Sequence, residues 1–100
     1  MIAHHSIRPV HPGEVLREDV LPVVKLSKAG VARALGISRQ HLYDILNERQ
    51  PVTAEMAVRF GKLLGNGPRL WISLQRNYDL AMAEARVDVS GIPTLEGETD

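Results

Sequence analysis

Arg39 and Gln40 stand side by side in the segment Ser-Arg-Gln-His-Leu-Tyr-Asp, and both side chains carry paired hydrogen-bonding groups. An arginine can bind the O6 and N7 atoms of guanine together, and a glutamine can bind the N6 and N7 atoms of adenine. Tyr43 and Asp44 follow one helical turn later. These residue types at the start of a helix are typical of a recognition helix that reads base edges in the major groove of DNA.

The carboxylate of Asp44 has two interpretations at this position. It can accept a hydrogen bond from N4 of cytosine, or it can hold the side chain of Arg39 or Arg49. The residue types leave this choice open. Five further residues are placed to contact the sugar-phosphate backbone, which would fix the register on DNA without reading its sequence. They are Lys28, Ser38, His41, Asn47 and Arg49.

The spacing of small and apolar residues predicts two helices joined by a tight turn over residues 27 to 47. Ala32 supplies a small side chain where the helices cross, and Gly36 tolerates the positive φ angle that the turn requires. Ser27 and Ser38 are placed to cap the two helices with their hydroxyl groups. The alternative is an ordinary helical hairpin that binds no DNA, which would leave the outward polar residues unexplained. Apolar residues suited to the two inner faces are Val31, Leu35, Ile37, Leu42 and Ile45.

Three more helices complete an all-α arrangement of five. The first is expected to begin at Pro12 and to end near Leu21. The fourth is expected to follow Thr53 as its cap and to end at Gly65. The fifth starts at Pro68, and its apolar stripe is long enough for about five turns.

The chain divides into three parts. Residues 1–10 lack periodicity and are predicted to be a flexible arm, residues 11–86 form the helix-turn-helix domain, and residues 87–100 form an acidic C-terminal extension. A connector holding Val23, Val24 and Leu26 is expected to cover the core from one side. In the C-terminal extension, apolar and polar residues alternate, which fits either a short extended strand paired with its symmetry mate or a disordered end.

The far end of the fifth helix exceeds what a domain of this size can bury, so it is predicted to form a homodimer interface. The residues expected there are Tyr78, Ala81, Met82 and Ala85.

Charge is unevenly distributed along the chain, although the net charge is zero. Residues 79–100 contain a single basic residue, Arg86, against six acidic ones. This polarity fits either a DNA-facing front with an acidic rear that meets a basic partner or a plain solvated acidic tail.

Composition excludes several classes of protein. The absence of cysteine rules out disulfides and thiolate zinc sites. The sequence shows no secretory signal and no apolar run that could span a bilayer. We therefore expect a cytoplasmic protein. His4 and His5 lack supporting ligands, so no metal and no cofactor is predicted. His41, Tyr43 and Asp44 could be mistaken for acid-base groups, but no nucleophile, phosphate loop or HExxH motif accompanies them, and no enzyme is predicted.

Four stretches together resemble the HigA/VapI-type plasmid-maintenance antidote family, a branch of the XRE-like helix-turn-helix proteins with a lambda-repressor-like fold. They are the His-Pro-Gly-Glu start at residue 11, the unit 27–47, the segment 53–59, and the Trp-x-x-Leu-Gln-x-x-Tyr-Asp-Leu segment from Trp71 to Leu80. The resemblance implies an antitoxin of a type II toxin-antitoxin pair. Such a protein binds a small basic RelE-like mRNA-cleaving toxin and, as a dimer, represses its own operon at an inverted-repeat operator. The alternative is a stand-alone XRE-type repressor without a toxin partner.

Overall fold

The computed structural model describes residues 8–96, and within this range the chain folds into five α-helices without a β-strand. This confirms the prediction of an all-α, five-helix helix-turn-helix domain. The helices are α1 (Pro12–Val15), α2 (Lys28–Leu35), α3 (Arg39–Leu46), α4 (Ala54–Leu64) and α5 (Pro68–Arg86).

The first helix departs from regular α geometry after one turn. It continues from α1 as a π-helical segment, Leu16–Val20, and then as a 3-10 turn, Leu21–Val23. The cause lies in Pro22, which has no N–H to donate and whose ring clashes with the carbonyl four residues earlier. The turn before Pro22 widens instead, and the amide of Leu21 donates to the carbonyl of Leu16, five residues back.

The connector after this helix covers the core less than predicted. Val23 is 76% exposed and Leu26 is 50% exposed, so the prediction is wrong for both residues, and only Val24 packs against the core. The 3-10 geometry explains the difference, because side chains three residues apart lie above one another. Leu21 and Val24 therefore face the core together, and Val23 between them faces solvent.

The core gathers around Trp71 at the start of α5. Its ring is fully buried, lies 5.9 Å from the ring centre of Phe60, and donates through Nε1 to Asn66 at 2.9 Å. Gln75, one turn later, is also buried: its Oε1 accepts from the amide of Val52 at 2.7 Å. This bond fixes α5 to the segment that links α3 with α4. Other fully or nearly fully buried side chains include Leu16, Val31, Leu42 and Ile45.

His11 joins the beginning of the domain to α5. Its Nδ1 atom accepts from the amide of Gly13 at 2.8 Å and so caps α1, while its ring meets that of Tyr78 edge-on with centres 5.0 Å apart. Only 3% of the residue is exposed. Burial lowers the pKa of His11, because the cationic form would lose its hydration. Burial therefore favours the neutral imidazole in the folded protein.

A pH dependence of stability follows from that burial. The unfolded chain takes up a proton on His11 as the pH falls through about 6.5, whereas the folded chain does so only at lower pH. The unfolding free energy should therefore decrease below that pH, by up to about 1.4 kcal/mol per pH unit. Urea unfolding of the wild type and of His11→Asn between pH 7.5 and 5 measures this. Asparagine preserves the capping acceptor and cannot titrate, so parallel pH profiles for the two proteins would contradict the assignment.

The two ends of the described chain differ in packing. Arg8 makes a two-pronged ion pair with the buried carboxylate of Glu14, at 2.7 and 2.6 Å, and Val10 packs against the core. These residues of the predicted arm thus lie against the domain, and residues 1–7 fall outside the described range. Residues 87–96 are exposed and irregular, with one turn closed by the amide of Ile92 on the carbonyl of Val89. Pairing of this segment with a second copy stays a prediction.

Candidate nucleic-acid interface

Helices α2 and α3 form the helix-turn-helix that the sequence predicts. The hydroxyl of Ser27 accepts from the amide of Gly30 at 3.0 Å, and that of Ser38 accepts from the amide of His41 at 3.0 Å, which confirms both caps. Gly36 ends α2 with a φ angle of 75°, as the turn requires. The corner thus has the local geometry that the sequence predicts.

The two sides of α3 differ sharply in polarity. Leu42 and Ile45 are fully buried and attach the helix to the core. Arg39 and Gln40 are exposed in its first turn, and Tyr43, one turn further, is 38% exposed. The structure therefore presents the predicted reading residues outward, on a helix whose opposite face is fixed to the domain.

Asp44 is engaged with neighbouring side chains. Gln40 Nε2 donates to Asp44 Oδ1 at 2.8 Å, and Arg49 Nη1 lies 3.7 Å from the same oxygen. Of the two interpretations from sequence, this arrangement favours a clamp, and it holds Arg49 and Gln40, not Arg39. The glutamine partner was missed, although its spacing of four residues is the one at which helix side chains meet.

The predicted backbone-contact residues are not equally accessible. Lys28, Ser38, Asn47 and Arg49 are exposed. His41 is partly buried in a cleft between α3 and α4, beside Glu55. His41 is therefore less available to DNA than the sequence suggested.

Two arginines from other helices anchor the ends of α2 and α3. Arg17 Nη1 donates to the carbonyl of Leu46, the last residue of α3, and Arg59 Nη1 donates to the carbonyl of Leu35, the last residue of α2, at 2.7 Å. Glu55 in turn accepts two bonds from Arg59. Hydrogen bonding to Glu18 raises the pKa of Arg17, so its guanidinium group stays positively charged. These anchors orient the outward face of α3, and sequence reasoning missed them.

The predicted dimer surface on α5 is only partly free. Tyr78 packs against His11 within the chain, and Ala81 is partly buried. Met82 is 44% exposed and Ala85 is exposed. Leu80, which sequence reasoning left out, adds a 56% exposed side chain on the same half of the helix. This half of α5 thus presents apolar groups to solvent, as the dimer prediction requires.

Other chemistry finds no support in the described residues. Within residues 8–96, no group of three or more histidine or acidic side chains is placed to hold a metal ion, and no helix has the length and apolarity to cross a membrane. His4 and His5 lie outside the described residues. Asp44, one of the three residues that could be mistaken for acid-base groups, binds Gln40 and Arg49.

Comparison with known proteins gives two kinds of match. The family HTH_3 (Helix-turn-helix) matches residues 24–71, which include α2, α3 and α4. Virulence-associated protein I of Dichelobacter nodosus is 39% identical over 75 residues, which is 75% of this chain and 69% of that protein. The matched segment thus includes the whole helix-turn-helix.

Solved structures extend the similarity to nearly all of the fold. Pseudomonas aeruginosa antitoxin HigA with the higBA promoter superimposes with a TM-score of 0.79 at 37% identity, covering 90% of this chain and 98% of that one. Antitoxin GraA in complex with its operator gives a TM-score of 0.81 at 38% identity, covering 90% and 93% of the two chains. These relatives are antitoxins, in agreement with the prediction that the chain is not an enzyme.

Proposed function

This chain belongs to the HTH_3 helix-turn-helix family, among the HigA-type antitoxins, and from that premise we propose that it binds operator DNA and represses its own operon. The proposal depends above all on the outward placement of Arg39 and Gln40 at the start of α3, with the opposite face of the helix buried. Two relatives of similar fold bind a promoter and an operator, which supports the same role here.

The proposed binding unit is a homodimer. Two copies joined through the C-terminal half of α5, at Ala81, Met82 and Ala85, would present their α3 helices about 34 Å apart. This distance corresponds to one turn of DNA. The matching operator is an inverted repeat. Lys28 and Arg49 would supply affinity by neutralising phosphates, and Arg39 and Gln40 would supply sequence preference.

We further propose that the chain binds a small basic toxin of the RelE-like, mRNA-cleaving kind. Family membership supports this, and so does the acidic C-terminal part of the chain, with Asp79, Glu84, Asp88 and Glu96 against Arg86. Opposite charges across an interface speed association and select partners. The surface that the toxin would cover is not assigned to particular residues.

Two experiments test these roles separately. For operator binding, selection from randomised duplexes should enrich an inverted repeat. Size-exclusion chromatography with light scattering should then give two protein chains per duplex. Enrichment of no sequence would contradict operator binding.

For toxin binding, co-expression with the adjacent open reading frame should yield a stable complex with a small basic protein. If no such protein co-purifies while operator binding persists, the chain is a stand-alone repressor.

A further inference from the structure

Gln40, Asp44 and Arg49 form a connected set on the outward side of α3. The carboxylate oxygen Oδ1 of Asp44 accepts from Gln40 Nε2 at 2.8 Å and lies 3.7 Å from Arg49 Nη1. The turn after α3 brings Arg49 back over the helix, because the amides of Arg49 and Gln50 both donate to the backbone carbonyl of Asp44, at 2.8 and 3.2 Å. The Asp44 side chain is 25% exposed, against 68% for Arg49.

We infer that Asp44 is a positioning residue, which fixes the amide of Gln40 so that it selects adenine, and that Asp44 itself reads no base. The inference rests on the proposed function, because it concerns how the same surface of α3 chooses its operator. It assigns one base pair in each half-site to Gln40 and none to Asp44.

The chemistry of the amide explains the selection. An ionised carboxylate only accepts hydrogen bonds, so the Gln40 atom that faces Asp44 is the nitrogen and the carbonyl oxygen points away. A free glutamine can rotate its amide by half a turn and exchange donor for acceptor. With Asp44 in place that exchange is prevented. The second N–H of the Gln40 amide and its carbonyl oxygen remain available to a base. Adenine presents the matching acceptor N7 and donor N6 in the major groove.

The charges around Asp44 argue against direct reading of cytosine. To accept from cytosine N4, the carboxylate would have to enter a groove flanked by phosphates that repel it, whereas in its present position its Oδ1 atom accepts from Gln40 and faces Arg49. Arg49 lies against the carboxylate and offsets this repulsion where Asp44 now stands. The present geometry therefore lets a negative charge remain at a DNA surface without contacting DNA.

The test uses the full chain and the duplex that selection enriches. Affinities are measured at one salt concentration for every single base-pair substitution of one half-site, with the wild type, Gln40→Ala, Asp44→Ala and the double variant. Gln40→Ala should reduce discrimination at one A·T pair roughly 10-fold or more. Asp44→Ala should reduce it at the same pair by roughly 5-fold, and the double variant should equal Gln40→Ala alone.

Two controls separate positioning from a merely structural effect. Asp44→Asn keeps the size of the side chain, but its amide can donate as well as accept and so no longer fixes the Gln40 amide; it should lose discrimination at the same A·T pair, nearly as Asp44→Ala does. Both Asp44 variants remove a negative charge, so they should bind random DNA more tightly than the wild type does, whereas damage to α3 would weaken binding to all DNA. Loss of preference at a C·G pair in Asp44→Ala, additive with the loss in Gln40→Ala, would overturn the inference alone. A wild type that enriches no sequence would overturn the proposed function and the inference together.

Discussion

Gly13→Ala is expected to lower the unfolding free energy by about 3 kcal/mol, a large part of the stability of a domain of this size. A β-carbon at Gly13 would lie 1.9 Å from the carbonyl oxygen of Ile45 in α3. The obstacle is backbone, so no side chain can rotate to make room. The first helix and the recognition helix would have to separate, and operator affinity should fall together with stability.

Two other glycines provide matched comparisons in urea unfolding followed by circular dichroism. At Gly30, in α2, an added β-carbon makes ordinary contacts with the hydroxyl of Ser27 at 3.4 Å and with the side chain of Leu26 at 3.6 Å, so Gly30→Ala should stabilise the protein by about 0.5–1 kcal/mol. At Gly61 it would lie 2.3 Å from the backbone of Gly67, between α4 and α5. Gly61→Ala should destabilise the fold without displacing α3. Equal unfolding midpoints for Gly13→Ala and the wild type would show that Gly13 in α1 does not lie so close to the carbonyl of Ile45 in α3.

The features that the sequence predicts well are those whose causes lie within a few residues. Ser27, Ser38 and Thr53 each accept a bond from an amide three residues ahead, and Gly36 and Gly65 end their helices with positive φ angles. A short side chain can reach only the adjacent turn, so its partner is determined by spacing alone. The order and number of the helices followed from these local signals.

The features that the sequence does not predict depend on distant parts of the chain. Arg17 reaches a carbonyl 29 residues away and Arg59 one that is 24 residues away. A long side chain has many partners within reach, and tertiary packing decides among them. The inward role of Gln75, whose bond to Val52 spans 23 residues, has the same cause.

Two motifs recognised separately in the sequence prove to be parts of one contact. The first begins at His11 and the second contains Tyr78, and their rings meet between α1 and α5. Gly13, in the first motif, lies close to the backbone carbonyl of Ile45 in α3. Contact therefore runs from α5 through the first helix to the recognition helix. A dimer joined through α5 would hold each reading surface in a fixed position relative to the other.

That geometry makes Arg39→Ala the substitution with the largest expected effect on operator binding. A lost bidentate contact to guanine costs about 1–3 kcal/mol, and an inverted repeat contains the contact twice, so the dimer should lose about 2–6 kcal/mol on its full operator. On a duplex with one intact half-site, the loss should be about half as large. Titration by fluorescence anisotropy on full, half and random sites measures all three.

Two variants that each remove one positive charge, as Arg39→Ala does, serve as its controls. Arg76→Ala removes an exposed arginine from α5, far along the chain from α2 and α3, and should leave all three affinities unchanged. Lys28→Ala should weaken every duplex alike and reduce the salt dependence, because a phosphate contact carries no sequence information. If Arg39→Ala behaved like Lys28→Ala, with equal losses on random and cognate DNA, Arg39 would be a phosphate contact. The preference would then rest on Gln40 and its neighbours.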